Sequence, residues 1–330
     1  MAVKVGISVE KEEIKSFFNF SERLKSSEFS KCLAPGKQCP EKAVRCHSVS
    51  KGRLSQIARD GHVFIFGGNN TYEDEYCFAN SGVLKSIGVN SAGIFCGYCN
   101  KHDNSLFEAI DAIPFELTPE NLFRNFLRST AKVFIETTAV FQHTKQMMRN
   151  TEPGSVEGTL MGIDELVRLM GNRGMFGNLY AKLEKIEKDK CFGTVKHLVI
   201  ELAGKPPFSI SQSFSPTYDL NGDFFELESD AVFRYEPMGI SVLPENGNGI
   251  VVFSWLNDNA PNVRLFLNSL NAVIRDRQEP LLDWLLALSL EEGFPLLSPE
   301  WYQQLDESVR IQLEYCSELP PEQTVRKQKI

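Results

Sequence analysis

The chain has 330 residues, of which 42% are hydrophobic and 11% aromatic, a composition that excludes an intrinsically disordered protein and predicts a sizeable folded core. The net charge of −8 is unevenly distributed, because residues 1–105 carry 14 Lys and Arg against 11 Asp and Glu, whereas the remainder carries 21 against 32. The opening residues lack a charged region followed by an apolar run, and the most apolar stretch, 281–290, contains Asp283. We therefore expect no signal peptide, no membrane span and a cytoplasmic location.

Short elements are predicted in the first third of the chain. The spacing of apolar residues predicts a helix at 10–28, and a short helix is expected at 52–60. Short extended runs bounded by turn signals predict strands at 43–47, 61–66 and 92–96. A further helix begins near residue 100 and should end before Pro114.

The rest of the chain is predicted to contain longer helices and a strand-rich segment. Thr118 followed by Pro119 is typical of a helix start, and the helix predicted from there to Asn150 has an apolar stripe of Phe123, Phe126, Leu127, Phe134 and Phe141. Two more helices are predicted at 160–170 and 179–188, strands within 195–255, and final helices at 261–274, 280–290 and 299–316. The phenylalanine stripe predicts a core face, or a face buried against a second copy of the chain.

Cysteines are concentrated near the N-terminus, where six of the eight lie within the first 99 residues. Because cytosolic cysteines stay reduced, this clustering favours a metal site or catalysis over disulfides. Zinc prefers four N or S ligands, usually supplied as two closely spaced pairs. Cys32 and Cys39 can form the first pair, and Cys96 and Cys99 the second; an alternative second pair is Cys99 and His102.

A second interpretation of the C-G-Y-C stretch at 96–99 is thiol–disulfide chemistry. This tetrapeptide resembles the active-site motif of thioredoxin relatives, in which it follows a strand and opens a helix. That fold requires a βαβ unit around the motif, and residues 50–150 do not show one. The redox interpretation also leaves Cys32 and Cys39 without a role.

The order of the motifs resembles the HNH endonucleases, whose ββα-metal site is often built on a treble-clef zinc finger. The resemblance covers residues 30–110 and rests on the first cysteine pair, the short strand in "AVRCHSVSK", and "CNKHDNSLF" after the second pair. These stretches also resemble a group of uncharacterised bacterial proteins with HNH-like N-terminal regions, some of them linked to phage defence.

The resemblance implies a role for several residues. His47 would be the general base that activates water, and His102 or Asp103 would help to hold Mg²⁺ or another divalent ion against the scissile phosphate. The family usually places a second His, Asp or Glu just before the base, and here that position is Cys46. The competing hypothesis is that His47 and His102 are ordinary structural histidines beside a zinc site without catalysis.

The charge pattern suggests where nucleic acid would bind. Residues 23–59 carry nine Lys and Arg against two Glu, and phosphate binding requires a local basic face. The overall prediction is an α+β protein. It comprises a treble-clef-like, HNH-like zinc module at 1–112, a helical region at 113–190, and an α+β domain at 191–330 with a mainly antiparallel sheet and flanking helices.

Overall fold

A computed structural model of the chain describes residues 31–36, 39–66, 84–150, 156–220, 223–225, 235–256, 260–276, 281–292 and 295–318. The helix predicted at 10–28 and the tail beyond Glu318 lie outside these residues. Among them, the chain is a mixed α/β protein whose later part forms an antiparallel sheet flanked by helices, as predicted. No helix in the described ranges is both long and apolar enough to cross a membrane.

The first third of the chain contains only short elements. They are β1 (Arg45–His47), α1 (Lys51–Ile57), β2 (His62–Phe66), β3 (Leu84–Gly88), β4 (Ile94–Cys96) and α2 (Asn100–Asp111). The strands expected at 43–47, 61–66 and 92–96 are confirmed to within a few residues, whereas β3 was not predicted. β1 and β4 pair with each other as a separate two-stranded antiparallel ribbon.

Two long helices follow, α3 (Pro119–Asn150) and α4 (Val156–Asp189). Thr118 caps α3 as predicted, since its hydroxyl accepts the backbone N–H of Asn121 at 3.2 Å. The prediction of separate helices at 160–170 and 179–188 is wrong, because a single helix continues through Gly171 and Gly174. Glycine costs a helix interior about 1 kcal/mol relative to alanine. The helix as a whole packs against α3, as where Tyr180 stacks on Phe134.

The C-terminal elements are β5 (Lys196–Leu202), β6 (Phe208–Phe214), β7 (Met238–Glu245), β8 (Asn248–Trp255), α5 (Pro261–Asp276), α6 (Leu281–Glu292), β9 (Leu296–Leu297), α7 (Pro299–Gln304) and α8 (Glu307–Glu318). The single helix predicted at 299–316 is thus two helices, separated at Leu305 and Asp306. Within the described residues the main sheet has seven strands in the order β3-β2-β9-β6-β7-β8-β5. The domain boundary at residue 112 remains a prediction, although β2 and β3 precede it and join this sheet through β9.

Helices cover both faces of the sheet. One core joins the sheet to α5, α6 and α8, and a second core joins Leu243, Ile250 and Val252 to α3, α4 and the N-terminal elements. Because both faces are covered, every residue of β6 is buried, including its serines. Polar side chains of α3 form hydrogen bonds with the buried serines of the sheet. Asn125 donates to Ser241 at 2.8 Å, and the hydroxyls of Thr130 and Ser213 are 2.9 Å apart.

Arg53 connects the N-terminal elements to the sheet. Its guanidinium is 1% exposed and donates to the carbonyls of Ile110 and Ala112 at the end of α2, each at 2.5 Å. The same group forms an ion pair with Glu245 at 3.2 Å. Arg53 therefore fixes the C-terminal end of α2 against the β7–β8 turn.

Replacing Arg53 by methionine is expected to lower the free energy of unfolding by about 3 kcal/mol, because removing one partner leaves a buried carboxylate and two carbonyls unpaired. Urea unfolding followed by circular dichroism measures this. Arg59→Met is the matched control, since Arg59 is exposed and binds the Gln303 side chain, and its effect should stay within about 0.5 kcal/mol. Equal effects of the two substitutions would contradict the role given to Arg53.

Candidate metal centre

Four potential metal ligands meet where the first loop contacts the start of α2. Cys32 and Cys39 lie in the loop before β1, which turns at Gly36 with a φ of +97°. Cys99 is the N-cap residue of α2, and His102 lies in the first turn of that helix. Residues three apart in a helical turn share one face, so both side chains of this pair point to the loop.

The geometry of this group suits a tetrahedral metal ion. The ligand atoms of Cys32, Cys39, Cys99 and His102 all lie within 4.8 Å of one another. His102 Nδ1 is 3.4 Å from Cys32 Sγ and 3.2 Å from Cys99 Sγ, and the sulfurs of Cys39 and Cys99 are 3.8 Å apart. Zn–S bonds of about 2.3 Å and Zn–N bonds of about 2.1 Å give ligand separations of roughly 3.6–3.8 Å in a tetrahedron. The four side chains are thus close enough to bind a metal such as zinc.

Backbone N–H groups donate hydrogen bonds to the two buried sulfurs, those of Cys32 and Cys99. Burial raises the pKa of Cys32 to about 11, although its sulfur accepts the N–H of Cys99 at 3.2 Å. For Cys99, burial also raises the pKa, but hydrogen bonds from the N–H of His102, from the side chains of Cys32 and Cys39 and from the N–H of Lys101 outweigh it, and the pKa is lowered. Metal binding would therefore displace a proton from Cys32.

Cys96 is not brought into this group. It lies on β4 opposite Arg45, is half-buried, and burial raises its pKa. A strand side chain is directed by the pleat, so Cys96 does not follow Cys99 onto the ligand face of α2. Of the two predicted second pairs, the structure therefore brings together Cys99 and His102, not Cys96 and Cys99.

His47 ends β1, outside the metal ligand group. Its Nδ1 is 3.2 Å from the carbonyl oxygen of Ala92. Because a carbonyl only accepts, Nδ1 carries the proton and Nε2 keeps its lone pair. The pKa of His47 is lowered, chiefly by burial and also by the charge of Arg128, against the opposing effects of the Ala92 carbonyl and of Asp111 and Asp103. The imidazole is therefore neutral at pH 7.

Asp103 lies on the face of α2 directed at the ribbon. Burial raises the pKa of its carboxyl group, against the opposing effects of the neighbouring Cys46 thiol and of the charge of Arg128. The Cys46 thiol also reaches the carbonyls of Val44 and Tyr98, at 3.3 Å and 3.6 Å. Burial and the charge of Asp103 raise the pKa of Cys46 to about 12, so this thiol stays protonated.

A cleft of about 260 Å³ lies along α2, lined by Asp103, Asn104, Glu108 and Asp111. Arg128 of α3 forms an ion pair with Asp111 at 2.6 Å. Neither Asp111 nor Arg128 was predicted; Asp111 lies two helical turns after Asp103, a spacing that could have revealed it, whereas Arg128 carried no signal.

The residues around His47 do not by themselves form a cage for a second metal. In the described part of the chain, the cysteine–histidine group is the one set of three or more potential ligands that converges on a point. His47 and Asp103, both predicted to be catalytic, belong to no such set. Among the residues that the structure describes, no set of three converging ligands supports the predicted Mg²⁺ site.

The basic segment presents several cations near the ribbon. Lys31, Lys42, Arg45 and Lys51 are exposed, and Arg59 is exposed beside Gln303. Arg53 is buried and paired, so it is excluded from phosphate contact. Arg23, Lys25 and Lys37 lie outside the described residues.

No family model, curated protein or solved structure matches this chain. The functional assignment therefore depends on the geometry of the site.

Proposed function

We propose that the four-ligand group binds one structural zinc ion and that the chain is an HNH-type nuclease with His47 as its general base. The hydrogen bond between Nδ1 of His47 and the Ala92 carbonyl is the observation that carries the proposal. This bond keeps the proton on Nδ1, so that Nε2 can act as the base. His47 lies on β1, and the ribbon of β1 and β4 packs beside α2, the helix that begins at the metal centre. Within the described residues Nε2 makes no other hydrogen bond, so it can accept a proton from water.

The proposed reaction is hydrolysis of a phosphodiester. Nε2 of His47 removes a proton from water as the water oxygen bonds to phosphorus, and the bond from phosphorus to the leaving sugar oxygen breaks. The leaving sugar oxygen takes a proton from solvent, and the imidazolium returns its proton to solvent. Burial and the charge of Arg128 disfavour the imidazolium that forms, and the carboxylates of Asp111 and Asp103 would partly offset them. No step is assigned to a divalent ion, because the described residues do not converge on one.

Exposed cations next to the ribbon support contact with nucleic acid. Arg45 lies two residues before His47 on β1, and Lys51 begins α1 four residues after it. Such side chains can position a phosphate backbone without reading base sequence.

The direct test is an assay of single- and double-stranded DNA and RNA with the zinc-loaded protein, with and without added Mg²⁺, Mn²⁺ or Ca²⁺. We expect cleavage, together with binding that weakens steeply as salt increases. Neither cleavage nor binding across these substrates and ions would refute the proposal.

The pH dependence of cleavage provides a prediction specific to His47. A general base must be neutral, and burial keeps the pKa of His47 below its usual 6.5. The rate should therefore be nearly constant between pH 7 and 8 and should fall only in acid, as pH drops through the lowered pKa. Initial rates in buffers of constant ionic strength measure this; a rate that still climbs tenfold from pH 7 to 8 would assign the base to another group.

One observation favours a second function, a zinc-stabilised nucleic-acid-binding module without catalysis. Cys46 occupies the strand position at which the HNH family carries a metal ligand, and burial together with the charge of Asp103 keeps its thiol protonated. A protonated thiol does not serve as a metal ligand, so this position would not hold a catalytic ion. Salt-sensitive binding without cleavage, with every ion tested, would select this function.

A further inference from the structure

Helix α4 contacts the loop that carries the first pair of metal ligands. Tyr180 and Glu184, one helical turn apart, lie against residues 33–36. The Tyr180 hydroxyl donates to the carbonyl of Leu33, the residue after Cys32. The backbone N–H of Gly36 donates to Glu184 Oε1 at 3.0 Å. The loop between Cys32 and Cys39 is therefore held at two points by a helix about 150 residues away in sequence.

The second pair of ligands is connected to the same helix. The hydroxyls of Tyr98 and Tyr180 are 3.2 Å apart. Since the Tyr180 proton is given to the Leu33 carbonyl, the Tyr180 oxygen accepts the proton of Tyr98. A phenol is neutral at pH 7, so both hydroxyls can donate. Tyr98 directly precedes Cys99. A relay of two hydrogen bonds, from Tyr98 to Tyr180 and from Tyr180 to the Leu33 carbonyl, thus connects the second ligand pair to the first.

Aromatic and backbone contacts restrict the relay. The ring of Phe134 stacks on Tyr180 with centroids 5.8 Å apart, and Phe107 packs edge-on against Tyr98 at 5.0 Å. Leu33 is also held from its other side, because its N–H donates to the Gly97 carbonyl at 2.8 Å. Side chains restrained in this way lose little freedom when they form the relay.

We propose that Tyr98, Tyr180 and Glu184 are positioning residues of the metal centre, through which helix α4 sets the affinity for zinc. The inference rests on the zinc part of the proposed function and not on its nuclease part. Residues that orient metal ligands typically change metal affinity by 10- to 100-fold when replaced. The physical reason is that a loop free to move must be ordered when the metal binds, and that ordering reduces the binding free energy.

The test uses full-length protein with Tyr180→Phe and, separately, Glu184→Leu, which removes the acceptor of the Gly36 N–H. Tyr180→Phe keeps the ring that stacks on Phe134 and removes only the hydroxyl. Zinc affinity is measured by competition with a chromophoric chelator, and the cobalt-substituted protein gives the absorption bands of the bound ion. We expect zinc Kd values 10- to 100-fold higher in both variants, with cobalt bands altered in Tyr180→Phe.

Matched controls are Tyr302→Phe, at a buried tyrosine that packs on Phe64, and Glu236→Leu, at a carboxylate paired with Lys182 of α4. Both should keep the zinc affinity of the original chain. Zinc Kd values within twofold of that chain in Tyr180→Phe and Glu184→Leu would overturn the proposal. If Tyr180→Phe fails to fold at saturating zinc, Glu184→Leu alone decides it, since Glu184 is only partly buried. A failed nuclease assay leaves this measurement unaffected.

Discussion

The substitution Cys99→Ser is expected to remove the metal and to unfold the N-terminal elements. Cys99 has three roles at once: its sulfur is a ligand, it is the N-cap residue of α2, and its N–H donates to Cys32 Sγ. Structural zinc contributes an apparent 10–16 kcal/mol, roughly, in isolated zinc fingers, because the binding free energy there is folding free energy. Here the core shared with α3 and α4 retains part of the stability. We expect zinc content to fall from one per chain to near zero, and several kcal/mol of unfolding free energy to be lost.

Metal analysis of the purified protein and urea unfolding with and without chelator measure these effects. Cys96→Ser is the matched control, because it makes the same atomic change three residues earlier on a half-buried cysteine outside the ligand group. It should keep one zinc per chain. Loss of zinc in Cys96→Ser to the extent seen in Cys99→Ser would instead indicate an all-cysteine site.

Alkylation of the unmodified chain provides an independent readout. Cys99 should resist reagent until a chelator is added, whereas the exposed Cys191 should react at once. Rapid reaction of Cys99 in the zinc-loaded protein would contradict its place as a ligand.

The substitution His47→Ala is expected to lower the cleavage rate by about 10²–10⁴-fold, because a general base usually contributes that much to the rate. His47 lies outside the four-ligand group, so zinc content should stay at one per chain. The side chain makes one hydrogen bond within the described residues, to a carbonyl at the ribbon edge. The unfolding free energy should therefore change much less than the rate.

His62→Ala is the matched control for this change. His62 also bonds a backbone carbonyl through Nδ1, that of Asp60 at 2.8 Å, but it is exposed on β2. Its replacement should leave cleavage and zinc content unaltered. If His47→Ala instead lowers the melting temperature as a core substitution does and leaves cleavage intact, His47 is a structural histidine.

Local signals predicted most of the elements near the site. Thr118 and Pro119 indicated the start of α3, and the apolar run at 61–66 indicated β2. These signals act over a few residues, because capping, turn geometry and side-chain periodicity are properties of the local backbone. Reliance on local signals also explains why two helices were wrongly predicted where α4 is continuous. Glycines within 171–177 lower the local helix propensity, whereas the contacts of α4 with α3 depend on the tertiary structure.

The sequence by itself identified a candidate metal site of cysteine and histidine ligands and the two cysteines that the first loop brings to it. It also determined that the second pair includes Cys99, because sulfur and imidazole are the ligands zinc prefers and their spacing is a local property. Only the tertiary structure decided between Cys96 and His102, since that choice depends on where β4 ends and α2 begins to face the loop. The burial of Arg53 and the contact of Tyr180 with Leu33 were likewise decided there. The contacts of Arg53 and of Tyr180 are each made with residues distant in the chain. A local sequence pattern does not indicate which distant surfaces will pack together in the core.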